Sequence, residues 1–287
     1  MSYVNEQTVN GRTHHYHAEA KILSGHLQLP LVAEIEPQGY AHLRDEGGYL
    51  SQRAEGYRLE SVISFQSGYT QVAGNRSTKP GQGWTTLTTT AVEGLNVLDV
   101  VTADRIVGQM ITEHSLDGYV PTVSFLGTRF ENLRIAGHPV ALDLDFKLLG
   151  SKPADDAAYT QDSNLVSCVS SMLSRIRERQ DLPTTLRERY NQLASTLGSP
   201  QEEVECSLVK AASGDYPGAS SGHVITIPDF GTIVLGKVTI NHEDFKPGSG
   251  VPRKTTVRLK MIEFHFGCAI AGGADTGDGS SNGTTEP

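Results

Sequence analysis

The sequence predicts a mainly β chain, either a β-sandwich or an irregular β-solenoid, with a helical hairpin inserted late in the fold. Three observations carry that prediction. Most apolar residues fall in short runs rich in Val, Ile, Thr and aromatics, which suit a pleated, half-buried surface. Turn chemistry separates the runs, with 30 glycines and 13 prolines in 287 residues. A single segment, 164–197, switches to an apolar period of three and four. The similar pieces GTRFENLRI and GTIVLGKVTI lie about 100 residues apart and do not recur. One domain with two related halves is therefore preferred to a period-locked solenoid.

Residues 1–17 are polar and read as a flexible segment, and residues 18–270 form the β-rich domain. Within it, residues 20–35 suggest two short strands or one interrupted strand around Gly25 and Pro30. Residues 59–72, 84–101 and 105–113 carry strand-type composition, while the Gly-, Pro- and Ser-rich stretch 73–83 reads as a surface loop. A second block covers 122–125, 127–135 and 139–146. In it, Ala136-Gly137-His138-Pro139 marks a tight hairpin turn. Strict alternation puts Val140, Leu142, Leu144 and Phe146 on one face and Asp143 and Asp145 on the other.

The period change follows. Leu165, Val169, Met172, Leu173 and Ile176 define one helix and Leu186, Tyr190, Leu193 and Leu197 a second, together a helical insertion within 160–200. Pro183 separates them, Asp181 or Thr184 can cap the second, and Gly198-Ser199-Pro200 ends it. Strands resume at 205–210, 222–228, 231–235, 237–242 and 255–266. In the last, Val257, Leu259 and Met261 share one parity, and Ile262, Phe264 and Phe266 the other, which predicts a β-bulge or a strand with two differently covered faces. Residues 271–287 carry almost no large apolar side chain and read as a disordered acidic tail.

A net charge of −9 disfavours non-specific attraction to nucleic acid, so no nucleic-acid partner is expected. Arg175, Arg177, Arg179, Arg187 and Arg189 are interspersed with Glu178, Asp181 and Glu188, the pattern of a solvated helix face with salt bridges. Charges interrupt every apolar stretch well before membrane-spanning length, so no transmembrane insertion is expected. The N-terminus has no basic start followed by an apolar run, which on its own points to the cytoplasm. Cys168, Cys206 and Cys268, spaced by 38 and 62 residues, make neither a disulfide framework nor a CxxC pair. A Cys168–Cys206 bridge remains open in an oxidising compartment.

No segment spells out a named chemistry. There is no GxSxG elbow and no phosphate-cradling glycine loop, and Ser167, Ser170, Ser171 and Ser174 lie on a predicted helix. No catalytic residue and no cofactor is expected. His14, His15 and His17 with Glu19 are the densest set of metal-ligating types, yet neighbours in an extended segment point to different sides. Asp143 and Asp145, with Asp155 and Asp156, are oxygen donors suited to calcium but lack the DxDxDG loop. Tyr40, Tyr49, Tyr57, Tyr69 and Trp84 are the candidate ligand-binding residues, since aromatic faces can stack on a sugar or peptide. Glu34, Glu36, Glu113 and Glu131 offer no carboxylate pair that sequence alone can place at a glycosidase separation.

Three segments, Val92-Glu-Gly-Leu-Asn-Val-Leu-Asp-Val-Val-Thr-Ala-Asp104, Gly127-Thr-Arg-Phe-Glu-Asn-Leu-Arg-Ile-Ala-Gly-His-Pro-Val140 and His223-Val-Ile-Thr-Ile-Pro-Asp-Phe-Gly-Thr-Ile-Val-Leu235, occur in an order that resembles the bacterial choice-of-anchor P proteins. With the closing stretch 256–273, the resemblance spans residues 85–275. It implies a β-rich bacterial domain at the cell surface or outside the cell, with no catalytic residues to carry over. The expected function is a non-enzymatic structural or adhesive module, self-assembling or envelope-associated, whose partner is itself, another protein or an envelope glycan. The alternative is a carbohydrate-binding or carbohydrate-hydrolysing protein.

Overall fold

The computed structural model describes residues 8–29, 32–153, 157–198, 203–243, 254–267 and 271–286. The chain begins with β1 (Thr8–Val9), β2 (Arg12–His15) and the long β3 (Ala18–Leu29), then β4 (Ala33–Gln38) and β5 (Ala41–His42). Four long strands run up and down: β6 (Gly48–Leu59), β7 (Ile63–Arg76), β8 (Gln82–Val97) and β9 (Val101–Ser115). Short strands follow as β10 (Thr122–Ser124), β11 (Arg129–Glu131), β12 (Arg134–Ile135), β13 (His138–Pro139) and β14 (Ala141–Leu144). After the helices α1 (Ser163–Arg177) and α2 (Thr184–Thr196) come β15 (Val204–Ser207), β16 (Val209–Ser213), β17 (Ala219–Ser221) and β18 (Val224–Ile227). The chain closes with β19 (Gly231–Glu243), β20 (Lys254–Phe266), β21 (Ala271–Ser281) and β22 (Thr284–Glu286).

These strands build two large antiparallel sheets that face one another, so the architecture is a sandwich and not a solenoid. The first sheet carries β20 at its centre, between β19 and β21, with β3 beyond β21 and β4 and β5 pairing β3. The second has the order β13-β12-β9-β8-β7-β6, with β10 and β11 also on β9. Between the sheets lie Ile22, Val92, Ile106, Met110, Val257 and Met261, all buried. Where β21 crosses β8 the interior is built from small and polar groups. Thr88 reaches Ser280, and the hydroxyls of Thr112 and Ser281 lie 2.9 Å apart.

That local composition corrects the disordered tail expected at 271–287. β21 lies hydrogen-bonded between β20 and β3, and Thr276, Asp278 and Ser281 are buried. The small side chains are what let the sheets approach: a Cβ at Gly279 would lie 2.6 Å from Thr88 Cγ2. The flexible segment expected at 1–17 is likewise corrected for residues 8–17. β2 pairs β22, and Tyr16 packs with Trp84, Val72 and Leu43 in a second core cluster. The loop expected at 73–83 is only the connection between β7 and β8, because both strands extend into it.

The phase change in β20 has a specific origin. Pairing is interrupted at Met261 on both sides, opposite Gly236 (φ +56°) and Gly277 (φ +66°), and resumes in the same register. A left-handed residue inside a strand turns the pleat over, and only glycine adopts it cheaply. Lys260 and Glu263, of opposite parity, consequently project from one face, where they meet Asp275 and Lys237. The expected Arg134–Val140 hairpin is present, with Ile135 paired to His138 across Ala136-Gly137.

The two helices lie where the period change places them. Asp162 caps α1 by accepting from the amides of Asn164 and Leu165. α2 begins after Pro183 without a side-chain cap, contrary to the Asp181 or Thr184 expected there, because Asp181 is held by Arg179. The arginine run is bound to the protein rather than solvated throughout. Arg179 donates to the carbonyl of Val224 at 2.8 Å, and Arg189 ion-pairs with the buried Glu205. None of the described helices is long and apolar enough to cross a membrane.

Candidate functional site

The five aromatics singled out from sequence do not form one platform. Trp84 is fully buried, stacked on His14 with ring centroids 5.1 Å apart, and is therefore corrected as a ligand-binding residue. β2 covers it through His14, and no sequence signal connects that segment to β8. Tyr57 is half-buried against Phe65 at 5.5 Å, and Tyr69 is half-buried on β7 opposite Arg53. Tyr49 stays exposed on the edge strand β6. Tyr40 is exposed at another place, beside β3 and β5, where its ring stacks on His42.

At that second place the structure gathers a cluster of chemistry-bearing side chains. Antiparallel pairing sets Glu19 of β3 directly opposite His42 of β5. His17, two residues before Glu19, shares its side of the chain. Glu19 Oε1 lies 3.3 Å from His42 Nδ1 and 3.6 Å from His17 Nε2. The two imidazoles meet edge to face at 4.9 Å. Among the described residues, these three are the group of metal-ligating side chains with one donor atom each inside a 4.8 Å span. Of the sequence grouping of His14, His15 and His17 with Glu19, the structure keeps His17 beside Glu19. His14 turns into the core and His15 pairs with Asp45, while His42 joins from 23 residues downstream of Glu19.

From Glu19 a band of alternating charge crosses the face of the first sheet that is turned away from the second. Lys21 meets Asp278 at 3.3 Å, Arg258 meets the same carboxylate at 3.6 Å, and Lys260 meets Asp275 at 2.5 Å. The band ends beneath α2 in a buried set, with Lys237 paired to Glu263, His265 at 3.2 Å from Glu263, and Arg189 on Glu205. Burial lowers Lys237 to about 8 and His265 to about 4. Each charge in the band has an opposite neighbour, so the band exposes no single-sign patch.

Asp145 is engaged by Lys210 at 3.1 Å and receives the amide of Lys147, Asp143 is exposed on β14, and Asp155 and Asp156 lie outside the described residues. Cys168 and Cys206 line one small cavity of about 50 Å³ between α1 and β15 and carry free thiols, while Cys268 lies outside the described residues. Ser171 and Ser174 spend their hydroxyls on carbonyls one turn back in α1.

Two buried histidines give a pH prediction. Desolvation by burial holds His14 down to about 2 and His223 to about 3, from an ordinary 6.5. Below 6.5 the unfolded chain binds a proton at each site that the folded chain excludes. Stability is therefore full above pH 6.5 and falls as pH drops toward those values, by about 1.4 kcal/mol per pH unit for each histidine. Urea midpoints at pH 7.0 and 5.5, read from the fluorescence of the single Trp84, should separate clearly. Equal midpoints would remove this reading.

Comparison with curated proteins and with solved structures returned no match. The family described as a domain of unknown function, DUF8256, matches residues 14–241, from β2 into β19 and through the helical insertion. That is more than three quarters of the sequence, and the chain belongs to this family.

Proposed function

We propose that the protein is a non-enzymatic structural or adhesive module that associates with a second copy of itself through the free edge of β6. The observation that carries this reading is the edge itself. β6 runs for 12 residues, pairs only β7 among the described residues, and is exposed at every position but Ala54, Tyr57 and Leu59. An unpaired edge of this length is a template for strand addition. It also presents Tyr49 and Leu50, two of the exposed large apolar side chains of the molecule.

The edge is self-complementary in charge. Setting Ala54 opposite Ala54 of an antiparallel second copy puts each Arg53 across from a Glu55, two symmetry-related contacts in one register. Gly56 (φ +66°) interrupts the pairing with β7 for one position, after which the register resumes, so the edge continues on both sides. The resemblance of residues 85–275 to choice-of-anchor P proteins supports a setting at the cell envelope for such an assembly.

Light scattering coupled to size exclusion should give a dimer at low and at high salt. Arg53→Glu alone and Glu55→Arg alone each place like charges opposite one another. Either should weaken association by about 5- to 30-fold, the equivalent of one to two kcal/mol. The double exchange should restore it. A monomer at both salts and at the highest soluble concentration overturns the proposal. Selective retention of such a monomer on envelope polysaccharide would favour the carbohydrate alternative, with Tyr40 as its exposed aromatic.

A further inference from the structure

We propose that His17, Glu19 and His42 form a binding site for a first-row divalent transition metal of the zinc class, with an open coordination position. The donor set and its geometry carry this. Two imidazole nitrogens and one carboxylate oxygen are the ligands of accessible zinc sites, whose bonds of about 2.0–2.2 Å put donors roughly 3.3 Å apart in a tetrahedron. Glu19 Oε1 already stands at 3.3 Å and 3.6 Å from the two nitrogens, and all three donors fit within 4.8 Å. Small rotations of the two partly exposed imidazoles close the remaining separation.

The backbone holds this arrangement before any ion arrives. Glu19 and His42 occupy one register pair, so their separation is fixed by the sheet, and His17 lies one residue before β3 with its carbonyl accepting the amide of Asn282 at 3.0 Å. Tyr40 adds a supporting layer: its ring stacks on His42 with centroids 6.5 Å apart. The nearby ammonium groups have carboxylate partners, Lys21 with Asp278 at 3.3 Å and Lys254 with Glu243 at 3.4 Å. The triad therefore does not face an uncompensated cation.

Selectivity follows from donor softness. Imidazole pairs disfavour calcium and magnesium, which take oxygen ligands, and the lack of thiolate in the triad disfavours copper(I). Three protein donors leave at least one position for water or an anionic oxygen. That position is reachable, because a surface pocket of about 320 Å³ is lined by His17 and His42 and a neighbouring one of about 270 Å³ by Glu19 and Tyr40.

The test uses the full chain without a histidine tag, stripped with a chelator and then titrated with zinc chloride by calorimetry, with bound zinc counted by atomic spectrometry. About one zinc per chain is expected. His17→Ala, His42→Ala and the nearly isosteric Glu19→Gln should each lower affinity by at least about tenfold. His26→Ala, removing an exposed histidine of β3 that bonds Gln28 at 3.1 Å, should bind as the parent does. Cobalt(II) gives an independent reading through the visible absorption of a four-coordinate site, expected in the parent and lost in Glu19→Gln. Absence of retained zinc in the parent overturns the proposal. So does unchanged affinity in His42→Ala and Glu19→Gln, or displacement of zinc by an equal concentration of calcium.

Discussion

Ending the chain before Ala271 should abolish folding. β21 is an interior strand that pairs with β20 along one side and β3 along the other, and β22 pairs with β2 over the buried His14. Removing 271–287 deletes on the order of ten backbone hydrogen bonds at about 1 kcal/mol net each. That is comparable to the whole stability of a typical domain, about 5–15 kcal/mol. It would also open two long adjacent edges, which favours aggregation. The truncated chain should be insoluble or, if recovered, lack a cooperative thermal transition by circular dichroism. A truncated protein that melts within a few degrees of the full chain would contradict this. A milder form of the same argument applies to Gly279→Val, which forces a branched side chain against Thr88 and should cost about 1–3 kcal/mol.

Replacing Glu263 with alanine should destabilise the protein by about 3–5 kcal/mol, the usual cost of stranding one member of a buried ion pair. Lys237 is 3% exposed and lies on Glu263, with Glu205 the nearest remaining anion. His265 loses its carboxylate partner in the same step. The loss has a pH signature. Burial already lowers Lys237 to about 8 from the ordinary 10.5, and taking away the carboxylate in contact with it favours the neutral amine further. Between those values the unfolded chain holds a proton that the folded chain has released, so the variant regains stability as pH rises from 7 toward 10. Guanidinium midpoints across that range measure it. The double variant Lys237→Met with Glu263→Leu should return close to the parent and show no comparable recovery at high pH. If Glu263→Ala melts like the parent at pH 7, removing the carboxylate does not strand the Lys237 charge.

Much of the fold is legible from local pattern alone. β8, β9 and β19 read as strands because one or both faces are apolar, so the β composition accumulates visibly. The helices read as helices because Leu165, Val169, Leu173 and Ile176 form one buried stripe, and these are the buried positions of α1. The parity change in β20 is visible in its sequence as well, and it marks the level at which Gly236 and Gly277 turn the pleat. β6 left no such trace. An edge strand exposed on most of its length carries no alternation, and GYLSQRAEGYRL looks like polar surface.

The sequence by itself determined the fold class, the position of the helical insertion and where the pleat reverses, since each depends on residues near one another in the chain. It also identified His17 and Glu19 as metal-ligating types. Only the tertiary structure decided that 271–281 is an interior strand, that Trp84 is sealed beneath the N-terminal strands, and that His42 is the third member of the triad. The physical reason is common to all three. Small side chains are stable inside only where two sheets come close, an aromatic is buried only if a distant segment covers it, and donor atoms converge only through strand register. Periodicity reports which face of an element is apolar, whereas these properties belong to pairings between residues far apart in sequence.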